Sequence, residues 1–417
     1  MNIFSKILLL DVGGGNGVIK VACSNMTTWA LKADGTLWGC GYNYPYQQGS
    51  GDTTDVKTFT QRLTDVIDLA CSTNTTWAIK SDGTLWGCGQ GSNGQQGSGS
   101  TSNVTTFTQR MTNVSRIFCT GFQTWVIKND GSLWGCGSGT DGNQGSGGTS
   151  NVTSFTKRSG SSEVIDVSCS TATTWYVTSD NKLFGCGYGN QGQQGNGTTG
   201  NNATVKTFTQ RMSGVTNISK VLCSGNTTWF LTSTGDLYGC GSGGYGNQGN
   251  GGTSNVSSFT KRLTDVVDFS TDIANGYTVW AIKSDGTLWG CGDGSKGQQG
   301  SGDTNNVTSF TQRMTDVSQV ACCDRSTWAI KTDGTLWGCG DGSKGQQGSG
   351  STSNVTTFTQ RMTNVSQVIC SGASDYDGVV WVIKKDGTLW GCGYGSYGQQ
   401  GNNSTSNVKT FTERTLE

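Results

Sequence analysis

One segment, built around the motif Thr-Trp-Ala-Ile-Lys, recurs eight times along the chain at intervals of 48 to 54 residues. Its tryptophans are Trp29, Trp77, Trp125, Trp175, Trp229, Trp280, Trp328 and Trp381. The copies fill nearly all of the 417 residues. The chain is therefore expected to fold as an array of one small unit rather than as two or three unrelated domains.

The second copy shows how one unit is built. Short apolar runs predict four β-strands, at 66–71, 75–80, 84–89 and 104–110. Asp82 and Gly83 join the second and third strands through a tight hairpin, in which Gly accepts a positive φ. A long Gly-rich loop precedes the fourth strand, so each copy is a small four-stranded sheet.

A sheet of this size cannot bury both of its faces alone, but radially stacked copies bury them against one another. We therefore expect an all-β fold, a closed β-propeller of eight four-stranded blades, packed by residues such as Trp77, Ile79 and Phe107. A linear solenoid would need polar capping units, and neither terminal copy resembles one. Seven blades with one displaced unit is the alternative.

The repeats also divide the chain. Residues 1–16 are expected to form an N-terminal strand or arm, and residues 17–417 a single propeller domain. The sequence at 4–8 imitates that at 259–263, which belongs to a fourth strand. Either this segment or the last strand, at 411–414, would close the ring, and the other would lie along a blade edge or add to a neighbouring subunit's sheet.

The charge balance limits the partners. The 28 basic and 28 acidic residues cancel, so the chain has no general field to attract nucleic acid or an anionic membrane. No apolar run is long enough to cross a bilayer, and residues 7–10 are too short for the core of a secretory signal. We expect no nucleic-acid binding and no membrane insertion.

Several chemistries lack their residues. The chain contains no His, which excludes Ser-His-Asp and Cys-His catalysis and imidazole metal sites. The hairpin aspartates are explained as turn formers. The Gly-rich loops lack a following Gly-Lys-Ser or Gly-Lys-Thr, and no Cys-x-x-Cys pair occurs. We predict no enzymatic activity, no cofactor and no metal.

Fifteen of the sixteen cysteines fall at the ends of the first and third strands, and Cys323, beside Cys322, is expected to be an extra cysteine on a loop. Buried reduced thiols that serve as small apolar packers are the favoured interpretation, and interblade disulfides are the alternative.

An arginine recurs near the end of each fourth strand, where we expect one structural ion pair per blade, or a charged ring on one face. These arginines are Arg62, Arg110, Arg158, Arg211, Arg262, Arg313, Arg361 and Arg414.

The motifs Asp-Gly-Thr-Leu-Trp-x-x-Gly and Gly-x-x-Gly-Gln-x-Gly, seen at 285–302, resemble the regulator-of-chromosome-condensation repeat across 17–414. The resemblance implies a propeller, usually seven-bladed, that recognises proteins and sometimes promotes nucleotide exchange on a small GTPase. This chain has Thr75 where the family has His, Gln96 where it has Leu and Cys88 where it has Trp. It also lacks a wedge-like insertion, so we transfer the fold and not the exchange activity.

Binding specificity is expected where the copies differ. Long or unusual turns follow the first strand of the sixth, seventh and eighth units, and an aromatic loop occurs in the first unit. We predict a partner-binding patch there, with a calcium site or neutral drift in exposed loops as alternatives. The candidates are Asp272, Asn275, Tyr277, Asp324, Arg325, Asp375, Tyr376 and Asp377, together with Tyr44 and Tyr46.

Near-identity between copies, as between 285–302 and 333–350, is typical of a regular scaffold. The leading hypothesis is a non-enzymatic structural or binding propeller on a particle or cell surface. A bacteriophage virion component (fibre, tail or capsid decoration) would fit this role, contacting neighbouring virion subunits or a host-surface receptor. The alternative is a cytoplasmic protein-binding regulator that resembles a GTPase exchange factor or a chromatin-binding propeller.

Overall fold

A computed structural model describes residues 16–24, 26–200, 203–215, 217–272, 276–323, 325–371 and 378–417. Within these ranges the regular structure is entirely β, with thirty-two strands in eight sheets of four. Each sheet contains four consecutive strands, paired antiparallel in chain order. The expected eight four-stranded blades are confirmed, and the seven-bladed alternative is wrong.

The first strands of neighbouring blades contact one another and surround the axis. They are β1 Val18–Cys23, β5 Val66–Cys71, β9 Val114–Cys119, β13 Val164–Cys169, β17 Ile218–Ser224, β21 Val266–Thr271, β25 Val317–Cys323 and β29 Val365–Ser371. The second strands are β2 Thr27–Lys32, β6 Thr75–Lys80, β10 Gln123–Lys128, β14 Thr173–Thr178, β18 Thr227–Thr232, β22 Thr278–Lys283, β26 Ser326–Lys331 and β30 Val379–Lys384.

The third strands are the shortest, and the fourth strands lie at the outer rim. The third strands are β3 Leu37–Gly41, β7 Leu85–Gly89, β11 Leu133–Gly137, β15 Leu183–Gly187, β19 Leu237–Gly241, β23 Leu288–Gly292, β27 Leu336–Gly340 and β31 Leu389–Gly393. The fourth strands are β4 Val56–Leu63, β8 Val104–Met111, β12 Val152–Lys157, β16 Val205–Arg211, β20 Val256–Leu263, β24 Val307–Met314, β28 Val355–Met362 and β32 Val408–Arg414.

The hairpin of the second blade explains why the expected third strand begins one residue late. Thr84 belongs to the turn, because its amide and its hydroxyl donate to the Asp82 carboxylate at 2.9 and 2.6 Å. The Trp86 indole N–H in turn donates to the Thr84 hydroxyl at 2.9 Å. The hydrogen bond from the Thr84 hydroxyl lowers the pKa of Asp82. The role of this aspartate as a turn former is confirmed.

A ring of aromatic pairs holds adjacent blades together. Each second-strand Trp is fully buried and meets, edge to face, a Phe on the fourth strand of the next blade, as Trp77 meets Phe155 at 5.9 Å. Gly87 makes this possible, because a Cβ at that position would lie 2.4 Å from the Trp77 ring. The expected interblade packing by Trp77 is confirmed.

The ring closes between the eighth and first blades by the same contacts. Trp381 meets Phe59 at 5.7 Å, and the Thr28 hydroxyl donates to the Gln399 carbonyl oxygen at 2.9 Å. The last strand, β32, completes the eighth blade, so every blade is built from its own four strands. The arm sequence at 4–8 lies outside the described residues. Packing, rather than an exchanged strand, closes the propeller.

The exposed edges of the fourth strands are partly covered. The loop that leaves the third strand of one blade bridges to the fourth strand of the next, as Ser98 does to Ser154. The Gly99 amide donates to the Thr153 carbonyl oxygen at 2.8 Å in the same place. Such contacts limit edge-to-edge association with other sheets.

Candidate functional site on the loop face

Two kinds of loop share one face of the propeller. Because the strands of a blade are antiparallel, the turn after the first strand and the loop after the third strand leave the same end of the sheet. Asn247, in such a loop of the fifth blade, donates to the carbonyl oxygen of Gly276, in such a turn of the sixth, at 2.6 Å. We call this side the loop face and the opposite side, which carries the Asp-Gly hairpins, the hairpin face.

A pair of buried amide side chains shapes each loop, two glutamines in six blades and an asparagine with a glutamine in the third and fifth. In the second blade, the Gln95 Oε1 accepts a hydrogen bond from the Asn93 amide at 2.8 Å, and the Gln96 Nε2 donates to the Cys88 carbonyl oxygen at 2.9 Å. Both glutamines are fully buried. A buried amide with partners fixes the loop backbone, which explains why Gln96 stands where the resembling family has Leu.

The cysteines join neighbouring blades. The Cys88 thiol and the Thr76 hydroxyl both donate to the Gln47 carbonyl oxygen of the preceding blade, at 3.5 and 2.8 Å. All sixteen cysteines are buried and free, so they pack as expected, and the eight near the ends of the third strands also act as weak donors. Burial raises the pKa of Cys23 to about 12 and that of Cys119 to about 11, which makes both poor nucleophiles.

The expected ion pair of the recurring arginine is wrong. Among the described residues, none of the eight arginines forms an ion pair with a carboxylate. Instead, the Nε atoms of Arg211 and Arg414 donate to the carbonyl oxygens of Gln194 and Gln400, at 3.0 and 2.6 Å. Burial lowers the pKa of seven of the eight.

The loop of the first blade, residues 42–55, differs from the others because Asn43 anchors it. Asn43 stands where the other seven blades have Gly, and it is fully buried. Its Nδ2 donates to the Ser50 hydroxyl at 2.7 Å and to the Asp52 carbonyl oxygen at 2.8 Å, and its Oδ1 accepts from the Gln48 amide at 2.9 Å. One side chain therefore holds three parts of the loop together.

This anchored loop presents Tyr44 to solvent. Tyr44 is 63% exposed, the largest value among the large hydrophobic residues that the structure describes. Two residues later, Tyr46 has a φ of 70°, where the equivalent Gly94 of the second blade has a φ of 79°. A tyrosine in this left-handed region costs on the order of 1–3 kcal/mol, and such strain often occurs at functional sites. Tyr46 itself is half-buried.

Further tyrosines lie close to this loop at the junction of the eighth and first blades. The rings of Tyr42 and Tyr397 lie 4.8 Å apart across this junction, and those of Tyr394 and Tyr397 lie 6.2 Å apart. The Lys344 ammonium lies 5.9 Å from the centroid of Tyr394. Burial, with a contribution from nearby Tyr44, raises the pKa of Tyr42. We call Tyr42, Tyr44, Tyr394 and Tyr397 the tyrosine cluster.

The predicted patch on the sixth to eighth blades is only partly described. Asp272 is fully buried, and its carbonyl oxygen accepts a hydrogen bond from the Gly276 amide at 3.0 Å, so its carboxylate is not presented to solvent. Tyr277 is half-buried and packs on Tyr245, with centroids 4.2 Å apart. Arg325 is half-buried in its turn. The remaining candidates, Asn275, Asp324, Asp375, Tyr376 and Asp377, lie outside the described residues.

Metal and membrane features are absent from the described ranges. No group of three or more Cys, Asp or Glu side chains there is arranged to hold a metal ion. Nor do those ranges include a helix with the length and apolar character that a membrane span requires.

Sequence reasoning missed two exposed aromatic residues on the loop face. Phe122 is 41% exposed in a turn of the third blade, and Tyr245 is 38% exposed in a loop of the fifth. With Tyr44 in the first blade, they place an aromatic side chain on alternate blades. Both could have been found in the sequence, because Tyr245 stands where the second copy has Asn93, and Phe122 stands where the fourth copy has Ala172.

It also missed a ring of charges around the axis. The third residues of the first strands carry alternating charges over six blades and are then neutral. They are Lys20, Asp68, Arg116, Asp166, Lys220, Asp268, Gln319 and Gln367. Lys20 pairs with Asp68, Arg116 with Asp166 at 3.6 Å, and Lys220 with Asp268 at 2.6 Å. We call this set the inner charge ring.

Asp166 is the most perturbed member of the inner charge ring. It is 6% exposed, and the Val221 amide donates to its carboxylate at 3.0 Å. Burial raises the pKa of Asp166 to about 6, although its hydrogen bond and the nearby Arg116 act in the opposite direction.

These features define the class of the protein as a closed, eight-bladed β-propeller with anchored loops and exposed aromatic residues on one face. Its fold is similar to that of human WBSCR16, with a TM-score of 0.63 and 21% identity, over 82% of this chain and 94% of that one. It is also similar to Prp20p from Saccharomyces cerevisiae, with a TM-score of 0.62 and 16% identity, over 84% and 91% of the two chains.

A third similar structure is yeast RCC1 (Prp20) bound to Kap60, with a TM-score of 0.61 and 15% identity, over 80% of this chain and 85% of that one. The resemblance to the regulator-of-chromosome-condensation repeat is therefore confirmed at the level of the fold. No family model matches the sequence. No curated protein matches it either.

Proposed function

We propose that this chain is a non-enzymatic propeller that binds a protein partner through its loop face, with the tyrosine cluster at the centre of the contact. The observation that carries the proposal is Tyr44, which is 63% exposed on a loop anchored by the buried Asn43. A rigid, exposed aromatic side chain loses little conformational entropy on binding, and tyrosines are enriched among the residues that dominate interface energies.

The structural neighbours support a protein as the partner. Prp20 is bound to Kap60 in one of the similar structures, and Prp20p has binding properties to Gsp1p and histones. These partners are properties of Prp20. For this chain they favour a protein-binding regulator over a purely structural role, because the likeness concerns a fold that recognises other proteins.

Two features support a role without catalysis. The sequence contains no His, so the commonest general base is missing. The thiols are buried, and burial raises the pKa of Cys23 to about 12, so a thiolate nucleophile is disfavoured near neutral pH.

The test places a photo-cross-linking amino acid at position 44 of the full chain, identifies the protein captured in extract of the native source, and measures its affinity in purified form. Tyr44→Ala should weaken binding by about 30-fold, as expected for a residue that dominates an interface. The matched control is Ile67→Ala, which removes a 50% exposed side chain from a first strand, away from the loops. Equal affinities of wild type and Tyr44→Ala would refute the proposal.

A second candidate function is a component of a particle or cell surface, such as a virion. The near-identity of residues 285–302 and 333–350 favours it, because a regular scaffold needs uniform copies. Mass spectrometry of purified particles and cleared cytosol from the native source would decide between the two locations. Stoichiometric enrichment in particles would favour the surface role, and recovery only in cytosol would refute it.

A further inference from the structure

One cleft on the propeller lies between two adjacent blades. Between the sixth and seventh blades, a cleft of about 620 Å³ is lined by residues 312–315 of one blade and by Lys331, Trp337 and Phe358 of the next. Arg313 is among residues 312–315, so two cationic side chains and two aromatic rings share one cleft. We call this cleft, and the equivalent positions at the other interfaces that have the same residues, the interblade grooves.

The same four residue types recur at six of the eight interfaces. The sets are Arg62, Lys80, Trp86 and Phe107; Arg110, Lys128, Trp134 and Phe155; Arg262, Lys283, Trp289 and Phe310; Arg313, Lys331, Trp337 and Phe358; Arg361, Lys384, Trp390 and Phe411; and Arg414, Lys32, Trp38 and Phe59. At the other two interfaces, Thr178 with Phe184 and Thr232 with Tyr238 replace the Lys and Trp. These two provide an internal control.

The lysine and tryptophan of each groove are held in place. In all six, the ammonium lies 4.3 to 5.7 Å from the centroid of the indole ring. The indole N–H donates to a hairpin Thr or Ser hydroxyl at 2.9 to 3.0 Å, which fixes the ring. The groove is therefore built before any ligand arrives.

The arginine leaves positive charge unbalanced in the groove. In Arg110, Arg262 and Arg361 the Nε atom is buried without a hydrogen-bond partner, and none of these guanidinium groups forms an ion pair among the described residues. The carboxylate near a groove lysine is that of the hairpin, as Asp130 lies near Lys128 and Asp34 pairs with Lys32 at 4.0 Å. The hairpin therefore balances the lysine, while the groove arginine has no ion pair among the described residues.

We propose that the interblade grooves bind the carboxylate groups of an acidic, extended polypeptide that follows the outer rim of the propeller. A planar guanidinium presents paired N–H donors that match the two oxygens of a carboxylate, and the lysine adds a second charge. Because the groove recurs around the ring, one polypeptide with spaced acidic residues occupies several grooves, and its affinity increases through multivalency.

The geometry disfavours other anionic polymers. The lysine covers one face of the tryptophan, so a nucleic-acid base or a sugar ring cannot stack there. The chain carries equal numbers of basic and acidic residues and has no general field for a dense polyphosphate. Isolated carboxylates, spaced along a peptide, fit the separate local sites better.

The test is fluorescence anisotropy of a labelled glutamate-rich peptide with the full chain and two matched triple variants. One removes groove lysines (Lys128→Gln, Lys283→Gln and Lys384→Gln). The other removes exposed fourth-strand lysines that are not among the groove lysines (Lys57→Gln, Lys206→Gln and Lys409→Gln), with the same change of net charge. The groove variant should bind about tenfold more weakly and the control within about twofold of wild type. Circular dichroism checks that both remain folded.

A gain-of-function variant completes the test. Thr178→Lys with Lys182→Thr and Phe184→Trp adds the missing lysine, hairpin hydroxyl and tryptophan to one exceptional interface at unchanged net charge, and should tighten peptide binding by about twofold. Equal weakening in the two triple variants would overturn the proposal, because binding would then depend on net charge alone. A competition with single-stranded DNA tests the choice of polypeptide. That choice would be overturned if the DNA displaced the peptide from the wild type, bound more tightly than the peptide, and required the groove lysines for binding.

Discussion

Closure of the ring can be tested at a single aromatic pair. Phe59 meets Trp381 at 5.7 Å between the last and first blades, and Phe259 meets Trp175 at 5.6 Å inside the ring. The two phenylalanines are 5% and 7% exposed. Replacement by Leu removes the edge-to-face contact and leaves a small cavity, which we expect to lower the unfolding free energy by about 1–2 kcal/mol at either site.

The comparison uses urea unfolding, followed by far-UV circular dichroism, of the wild type, Phe59→Leu and Phe259→Leu. Because the ring is closed by packing, both variants should lose similar stability with an unchanged slope m. Phe259→Leu should lose somewhat more, since Phe259 also meets Phe230 at 5.0 Å. If Phe59→Leu unfolds at the wild-type midpoint while Phe259→Leu is destabilised, the reasoning is refuted, because the junction would not contribute to the folded state.

Three further predictions concern the anchored loop, the inner charge ring and the thiols. Asn43→Ala should lower the unfolding free energy by about 1–3 kcal/mol by leaving buried groups without partners, and an unchanged thermal midpoint would contradict this. The pKa of Asp166 is raised from an ordinary 3.8 to about 6, so the folded state binds the proton more tightly than the unfolded state. The unfolding free energy should therefore fall by roughly 3 kcal/mol as the pH rises from about 4 to about 6. Asp166→Asn should remove that dependence, and identical pH profiles of the two proteins would show that the assignment is wrong. Thiols such as Cys23 and Cys119 should not react with a disulfide reagent at pH 8 until urea unfolds the chain; rapid labelling of the native protein would contradict their burial.

The fold was predictable because one unit is repeated eight times. The tryptophan spacing gave the number of blades, and Asp82-Gly83 located the hairpin. The expected strand at 84–89 began at Leu85, since the Thr84 hydroxyl and amide bond to Asp82 in the turn. Local hydrogen bonding of this kind is not visible in the alternation of apolar residues.

The sites were harder to predict because they depend on contacts between blades. The recurring arginine was expected to meet a carboxylate, but Arg211 donates to a backbone carbonyl oxygen, which no sequence pattern indicates. Asp272 looked like an exposed loop residue and is buried. Tyr44 was recognised because it departs from the repeat, while the burial of Asn43 beneath it became visible only in three dimensions.

Two of the differences between copies follow a period of two blades over the first six blades. In the inner charge ring the first, third and fifth blades carry Lys20, Arg116 and Lys220, and the second, fourth and sixth carry Asp68, Asp166 and Asp268. The exposed side chains alternate in the same way, as Tyr44, Phe122 and Tyr245 on odd blades and Ile67, Ile165 and Val267 on even ones.

This alternation pairs the charges of the first six blades. Two like charges would meet if the second, third, fourth or fifth blade were deleted, because each cation of the inner charge ring faces an anion on the neighbouring blade. The neutral Gln319 and Gln367 separate Asp268 from Lys20 and complete the circle without a further charge. Packing therefore repeats with every blade, whereas the charges and the exposed apolar side chains of the first six blades repeat with every second blade. A partner that contacts the loop face meets an exposed aromatic residue on the first, third and fifth blades.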